Sequence, residues 1–223
     1  MNILIVAATM REIEPLIEHF RLQRVHSNLF SGKANRIKVD CLCTGIGLVA
    51  TTFQVTKMIQ KTPYRLIVNA GIAGTFRDDL PLGSVVEVTS EQFADFGIDD
   101  NGIFRHMFEE KFLERDEFPF NDGRMLNPVR QNFTSHLPET AGISVSTTTG
   151  SDKRITLLIE KFKPDIESME GAAIFYVGLH SQIPFIEIRA ISNKVEPRNR
   201  ENWNISLAIE KLNSTLIGIF DAI

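Results

Sequence analysis

Five short segments place carboxylate, guanidinium, amide and glycine groups where apolar runs end. They are Thr9-Met-Arg-Glu12, Thr44-Gly-Ile-Gly47, Asn69-Ala-Gly-Ile-Ala-Gly74, Glu167-Ser-Met-Glu170 and Arg189-Ala-Ile-Ser-Asn193. An ionised Glu12 or Glu170 can take a proton from water or accept hydrogen bonds from paired hydroxyls. Arg189 stands on an otherwise apolar stretch, where an unpaired guanidinium is costly to bury, so it must face a carboxylate or a site. Asn193 offers one donor group and one acceptor to a polar ring. Each segment also has a plainer reading. Glu12 stands three residues after Thr9, the spacing of a capping box, and Glu170 opens a helix whose dipole favours an acid. Met169 can be a core side chain, Asn193 a turn residue and Trp203 a core ring at a helix start. Thr44-Gly-Ile-Gly47 lacks the third glycine of a dinucleotide fingerprint and a ribose-binding acid downstream, which argues against a nicotinamide cofactor.

The elements that must position these groups alternate between strand and helix. Asn2 to Ala8 is a continuous apolar strand, as expected when helices cover both faces. Thr9 caps a helix from Met10 to about Phe20, with Ile13, Leu16, Ile17 and Phe20 on one face. Leu29 to Ser31 and Ile37 to Thr44 read as a hairpin about Gly32 to Asn35, followed by a helix to about Gln60. Leu66 to Ala70 is a buried strand, Gly71 to Gly74 a glycine turn, and Ser84 to Thr89 a further strand. Residues 92 to 123 show no clean period and read as a flap or an interface. Gly142 to Thr149 is a strand, Asp152 caps a helix ending before Pro164, and Met169 to His180 is helical. Phe185 to Ser192 is the last strand and Trp203 to about Phe220 the last helix. This order predicts one three-layer α/β/α domain over residues 1–223 with a mixed, largely parallel sheet. Its site is expected at the carboxyl ends of the strands.

Composition narrows the function. With 223 residues, 43% hydrophobic and 23% charged, the chain can bury a full core. Net charge is −4 and no basic run occurs, which excludes a nucleic-acid polymer as partner. The apolar opening lacks a basic flank and stops at Arg11, so it reads as neither signal peptide nor membrane span. Cys41 and Cys43 read as reduced core thiols of a cytoplasmic protein. No histidine falls in a metal-ligand spacing, and no metal is expected. Sixteen Phe against one Trp and two Tyr raise the question of which rings face a ligand.

Taken in order, the pieces resemble the purine nucleoside phosphorylase and nucleosidase family, most closely its hydrolytic branch, from residue 2 to about 220. The resemblance rests on the first strand followed by Glu12, Gly71-Ile-Ala-Gly74, Ser168-Met-Glu-Gly-Ala-Ala173 and Arg189 to Asn193. Within that branch, Ile72-Ala-Gly-Thr-Phe76, Glu91-Gln-Phe-Ala-Asp95 and Val195 to Trp203 are similar to members that release hypoxanthine from futalosine on an alternative route to menaquinone. The resemblance implies a nucleoside substrate, no cofactor and a homo-oligomer. It implies that Glu12 activates water, that Arg189 holds that water, and that Met169 and Glu170 grip the ribose. Asn193 would read a 6-oxopurine, where adenine-cleaving relatives carry Asp. Ile72, Thr149 and Gly150 would contact the substrate, and Trp203 would cover its 5′ side. Arg198 and Arg200 would meet an acidic 5′ tail, and Phe93 and Phe96 would reach the 5′ pocket of this or a neighbouring subunit. Two departures stand out. Relatives carry Glu-Met-Glu where this chain has Ser168-Met169-Glu170, which leaves Glu167 out of step. A phenylalanine usual in the loop Thr147 to Ser151 is missing. The rival readings are methylthioadenosine or adenosylhomocysteine hydrolysis, phosphorolysis, and a nucleoside sensor without catalysis.

Overall fold

The structure is a computed structural model that describes residues 2–128 and 131–222. In chain order its elements are β1 (Asn2–Ala7), α1 (Met10–His19), β2 (Gln23–His26), β3 (Leu29–Ala34), β4 (Ile37–Cys43), α2 (Leu48–Lys61), β5 (Leu66–Thr75) and β6 (Val85–Phe93). There follow β7 (Gly97–Asp100), β8 (Ile103–His106), β9 (Met125–Leu126), β10 (Glu139–Ser144), α3 (Asp152–Phe162), β11 (Ile166–Ser168), α4 (Gly171–Ser181), β12 (Phe185–Lys194) and α5 (Ile205–Ala222).

The central sheet is mixed. β1 runs parallel to β4 and β5, and β5 runs parallel to β12. β12 then pairs antiparallel with β6, β6 parallel with β10, and β10 parallel with β11. β11 returns to pair antiparallel with β5, so these five strands close on themselves. β3 and β2 extend the β4 edge in antiparallel order, and β9 pairs with β6. β7 and β8 form a separate hairpin, whose Asn101-Gly102 turn has both residues at positive φ, the conformation a tight hairpin turn demands.

Burial explains the layers. β1 is apolar on both faces: Ile3 and Ile5 pack with Ile13 and Leu16 of α1 and Leu212 and Leu216 of α5. Leu4 and Val6 pack on the other side with Val55 of α2 and Phe175 of α4. α3 covers a smaller cluster through Leu158 and Phe162. Cys41 and Cys43 are buried free thiols on β4. Among the described residues no helix is long and apolar enough to cross a membrane.

Several boundaries differ from those expected. β5 runs straight through Gly71 and Gly74, which are strand residues rather than a turn. They lack side chains because β12 lays its own over them: a Cβ on Gly71 would lie 2.0 Å from Arg189 Nη1. β12 itself extends through Asn193. Ser151 rather than Asp152 caps α3, and α4 begins after Glu170. Trp203 precedes α5, closing a short 3-10 turn at 200–202. The β3–β4 hairpin turns after Ala34, so Gly32 lies within β3, against Leu22.

One buried side chain fixes the helix that carries Glu12. Pro15 inside α1 has no N–H to give the ladder. Asn213 of α5 inserts there, accepting from Leu16 N–H at 3.0 Å and donating to Glu12 O at 2.8 Å. Asn213→Ala is expected to lower stability by about 1–3 kcal/mol, the cost of leaving buried backbone groups short of partners. Urea unfolding measures it, and a change below about 0.3 kcal/mol contradicts the role.

Candidate active site

A cavity of about 360 Å³ opens where β1, β5, β11 and β12 end, with Glu12, Ile72, Met169, Glu170, Asn193 and Trp203 on its wall. Glu12, only 6% exposed, holds two positions at once. Its Oε2 accepts from the Thr9 N–H and hydroxyl, both at 2.8 Å, as a capping residue does. Its Oε1 accepts from the Ile72 N–H at 3.2 Å and faces the cavity wall. The cap therefore orients the carboxylate for the site.

Beneath the wall lies Arg189, 1% exposed. Its Nε donates to Glu187 Oε1 at 2.6 Å, and its Nη1 is 3.6 Å from Glu170 Oε2. Nη1 also crosses Gly71, where a Cβ would lie 3.0 Å from Glu12 Oε1, so the guanidinium and that oxygen converge on one glycine. Burial works against the cation, but Glu187, Glu170 and Glu12 outweigh it and raise its pKa.

Glu170 is fixed from two sides. Its Oε1 accepts from the Gly47 N–H at 3.0 Å, which gives the Thr44 to Gly47 segment a positioning role. Burial raises the Glu170 pKa, with Arg189 and the Gly47 bond opposing it. Met169 lies beside it, its sulfur 3.8 Å from the Thr148 hydroxyl. Asn193 is oriented by the Lys194 carbonyl, which can only accept and so must receive the Asn193 Nδ2–H, at 2.9 Å. Its Oδ1 then faces the Ser192 hydroxyl at 2.8 Å.

Other residues fall elsewhere. Thr149 gives its N–H to Glu167 at 2.9 Å, while Thr148 and Glu167 form that part of the wall. Gly150 sits under Arg198, accepting its N–H at 3.2 Å. The Arg198 guanidinium lies 5.7 Å from the Trp203 ring centroid. Arg200 lines an adjoining cleft with Arg11, Trp203 and Ile205. Phe93 and Phe96 line a second cavity of about 580 Å³ with Phe120 and Tyr176.

Sequence reasoning missed Glu187, Glu91 and Arg11. Glu187 stands two residues before Arg189, on the same face of a strand, and that spacing was the available signal. Glu91 comes from a distant strand, and nothing in the sequence pairs it with Glu187. Its carboxyl accepts from the Ser144 hydroxyl at 3.0 Å, and burial, then Glu187, push its pKa well up. Glu187 is raised by burial and held back by Arg189. Four carboxyl groups thus surround one guanidinium. The arrangement presents two carboxylates, Glu12 and Glu170, and the Asn193 amide to one cavity.

The phosphorylase superfamily model matches residues 2–217. A futalosine hydrolase of Streptomyces coelicolor is 31% identical over 160 residues, 69% of this chain and 64% of that one. A 5′-methylthioadenosine/S-adenosylhomocysteine nucleosidase of Desulfotalea psychrophila is 26% identical over 97% of this chain and 95% of its own. Among solved structures, a Helicobacter pylori nucleosidase mutant with 5′-methylthioadenosine in its active site aligns with a TM-score of 0.83 at 19% identity, covering 100% and 99% of the two chains. Helicobacter pylori futalosine hydrolase aligns with 0.83 at 18%, covering 100% and 98%. At such identities the likeness is one of fold.

Arg189→Met is expected to cost about 3–5 kcal/mol at pH 7.5, because the carboxylates around it lose their counter-ion. Burial already raises the Glu187 and Glu170 pKa values above the ordinary range, and loss of the cation raises them further. The cost therefore shrinks as pH falls and these groups protonate. Urea unfolding at pH 7.5 and 5.5 checks this, and an equal cost at both would contradict it.

Proposed function

The chain belongs to the phosphorylase superfamily, and from that membership we propose that it hydrolyses the N-ribosidic bond of futalosine, releasing hypoxanthine, on an alternative route to menaquinone. The observation that carries this reading is Asn193 on the cavity wall with its amide held by Lys194 O. Nδ2 has a second hydrogen for a 6-oxo group, and Oδ1 can accept from a protonated N7.

The steps follow from the geometry. As the bond from C1′ to N9 breaks, its electron pair leaves with the purine and positive charge builds on the ribose. Glu12 orients a water and takes its proton as the water oxygen bonds to C1′. The Thr9 and Ile72 bonds hold the carboxylate still for this. Glu170 accepts from the ribose 2′- and 3′-hydroxyls, bonds strengthened by its charge, and Met169 gives the sugar an apolar surface. Arg189, out of reach of solvent, favours the ionised form of Glu170 and holds it in place beside Glu12 rather than reacting itself. An amide is a poor acid, so the N7 proton comes from water. Trp203 covers the 5′ side, and the cleft of Arg11 and Arg200 beyond it suits an acidic tail.

A second reading, hydrolysis of methylthioadenosine or adenosylhomocysteine, is favoured by the nearly full-length match to the Desulfotalea nucleosidase. Phosphorolysis is disfavoured because Glu12 would repel phosphate at the attacking face. We also assign the chain, as one domain over residues 1–223, to a cytoplasmic homo-oligomer. Val49 and Phe53 of α2, 85% and 62% exposed, support a second copy packing there. The second cavity, with Phe93 and Phe96, adjoins that helix through Leu48 and Thr52.

Glu12→Gln is expected to keep nucleoside binding within about threefold and to lower the kcat for hypoxanthine release from futalosine by about 10²-fold or more. Chromatography of the free base and calorimetric titration measure the two. Turnover near the wild-type rate removes Glu12 from the mechanism. Absence of hypoxanthine release by the wild type overturns the reading.

A further inference from the structure

The mechanism leaves Glu91 without a task. It is fully buried on β6, and Glu187 beside it on β12 is buried as deeply. Glu91 Oε2 accepts from the Ser144 hydroxyl at 3.0 Å, and the Ser144 oxygen in turn accepts the Ala172 N–H at 2.8 Å. A hydroxyl has one hydrogen, so that of Ser144 is committed to Oε2. Glu187 Oε1 receives the Arg189 Nε–H at 2.6 Å.

One oxygen of each carboxyl remains. Glu91 Oε1 and Glu187 Oε2 are both buried and without a donor among the described residues. They meet over Gly171, where a Cβ would overlap Glu91 Oε1 and lie 2.7 Å from Glu187 Oε2. Two ionised carboxylates so placed would repel strongly out of reach of water, and each would keep an oxygen unsatisfied. A single proton removes both costs. It neutralises one carboxyl and gives the other a charge-assisted O–H···O bond.

The surroundings decide which carboxyl carries it. Glu187 has the Arg189 guanidinium against it, and Asn69 of β5 adds to the preference for its charged form. Glu91 has the neutral hydroxyl of Ser144 on β10 in that place. Glu170, before α4, brings a further negative charge toward Glu187. We propose that Glu91 is a neutral carboxylic acid at neutral pH, donating from Oε1 to Glu187 Oε2, and that this held proton positions Glu187 beneath Arg189. Burial and then Glu187 push the Glu91 pKa well up, while Arg189, Ser144 and the Gln92 backbone pull the other way. The contacts then run from Ser144 through Glu91, Glu187 and Arg189 to Glu170 on the cavity wall. Glu91 is thus a positioning residue, which touches no ligand and steadies the guanidinium on which Glu170 depends.

The test reads the proton rather than turnover, so its outcome is separate from that of the proposed activity. Infrared spectra in D2O at pH 7.5 are expected to show the carbonyl stretch of a neutral carboxylic acid in the wild-type protein. Glu91→Gln should remove that component, and Ser144→Ala should move it to higher frequency, because the carbonyl loses its donor. Stability gives a second readout. A carboxyl whose folded pKa lies above its unfolded one has its full stabilising effect below the unfolded value and loses it as pH rises toward the folded value. Gln does not titrate, and its amide keeps both bonds. In urea, the wild-type unfolding constant relative to that of Glu91→Gln should therefore grow at least about tenfold from pH 5.5 to 7.5. A smaller change overturns the proposal, as does a wild-type spectrum without a neutral-acid component or one that neither substitution alters. The wild-type and Ser144→Ala spectra decide the matter if Glu91→Gln does not fold.

Discussion

A single buried guanidinium sets the terms for the site. Arg189 has no access to water, so its charge is tolerable only among carboxylates, and the fold supplies them from four elements: Glu12 on α1, Glu91 on β6, Glu170 before α4 and Glu187 on β12. The compensation runs both ways. Without the cation, Glu170 would be driven toward its neutral form by burial and lose its strength as an acceptor for hydroxyls. Glu91, fully buried and beside Glu187, is pushed toward its neutral form, its pKa raised well above that of an ordinary carboxyl.

Space for this cluster comes from the absence of side chains. Gly71 yields to Arg189 and Glu12, and Gly171 to Glu91 and Glu187, whose oxygens a Cβ would approach to 2.2 and 2.6 Å. Gly74 yields to Asn193. These glycines are conformationally ordinary; close approach, rather than a positive φ, is what excludes a side chain at each. The ring of strands formed when β11 returns to β5 is what brings Glu167 and Asn193 to either side of Gly74.

Much of this was legible in the sequence where the signal was local. The continuous apolar run of β1, the Thr9 to Glu12 spacing and the helix start near Glu170 each rest on neighbours within a few residues, and the elements form there. Gly71 and Gly74 misled because a glycine kept for close approach and a glycine kept for a turn look alike in one sequence. Residues that meet only through tertiary structure were out of reach. Glu91 and Ser144 come together across paired strands, and Asn213 finds the α1 ladder from 201 residues away. Trp203 and Gly150 were placed by analogy, and the structure puts the ring on the cavity wall and the glycine beneath Arg198.

The central claim is that this cluster activates water toward a 6-oxopurine nucleoside. It is tested most directly by comparing kcat/KM of the wild-type protein for futalosine and methylthioadenosine, each with and without phosphate. The account predicts hypoxanthine release from futalosine at the same rate in either buffer and at least tenfold preference over methylthioadenosine. A preference for methylthioadenosine, or release that requires phosphate, would contradict it.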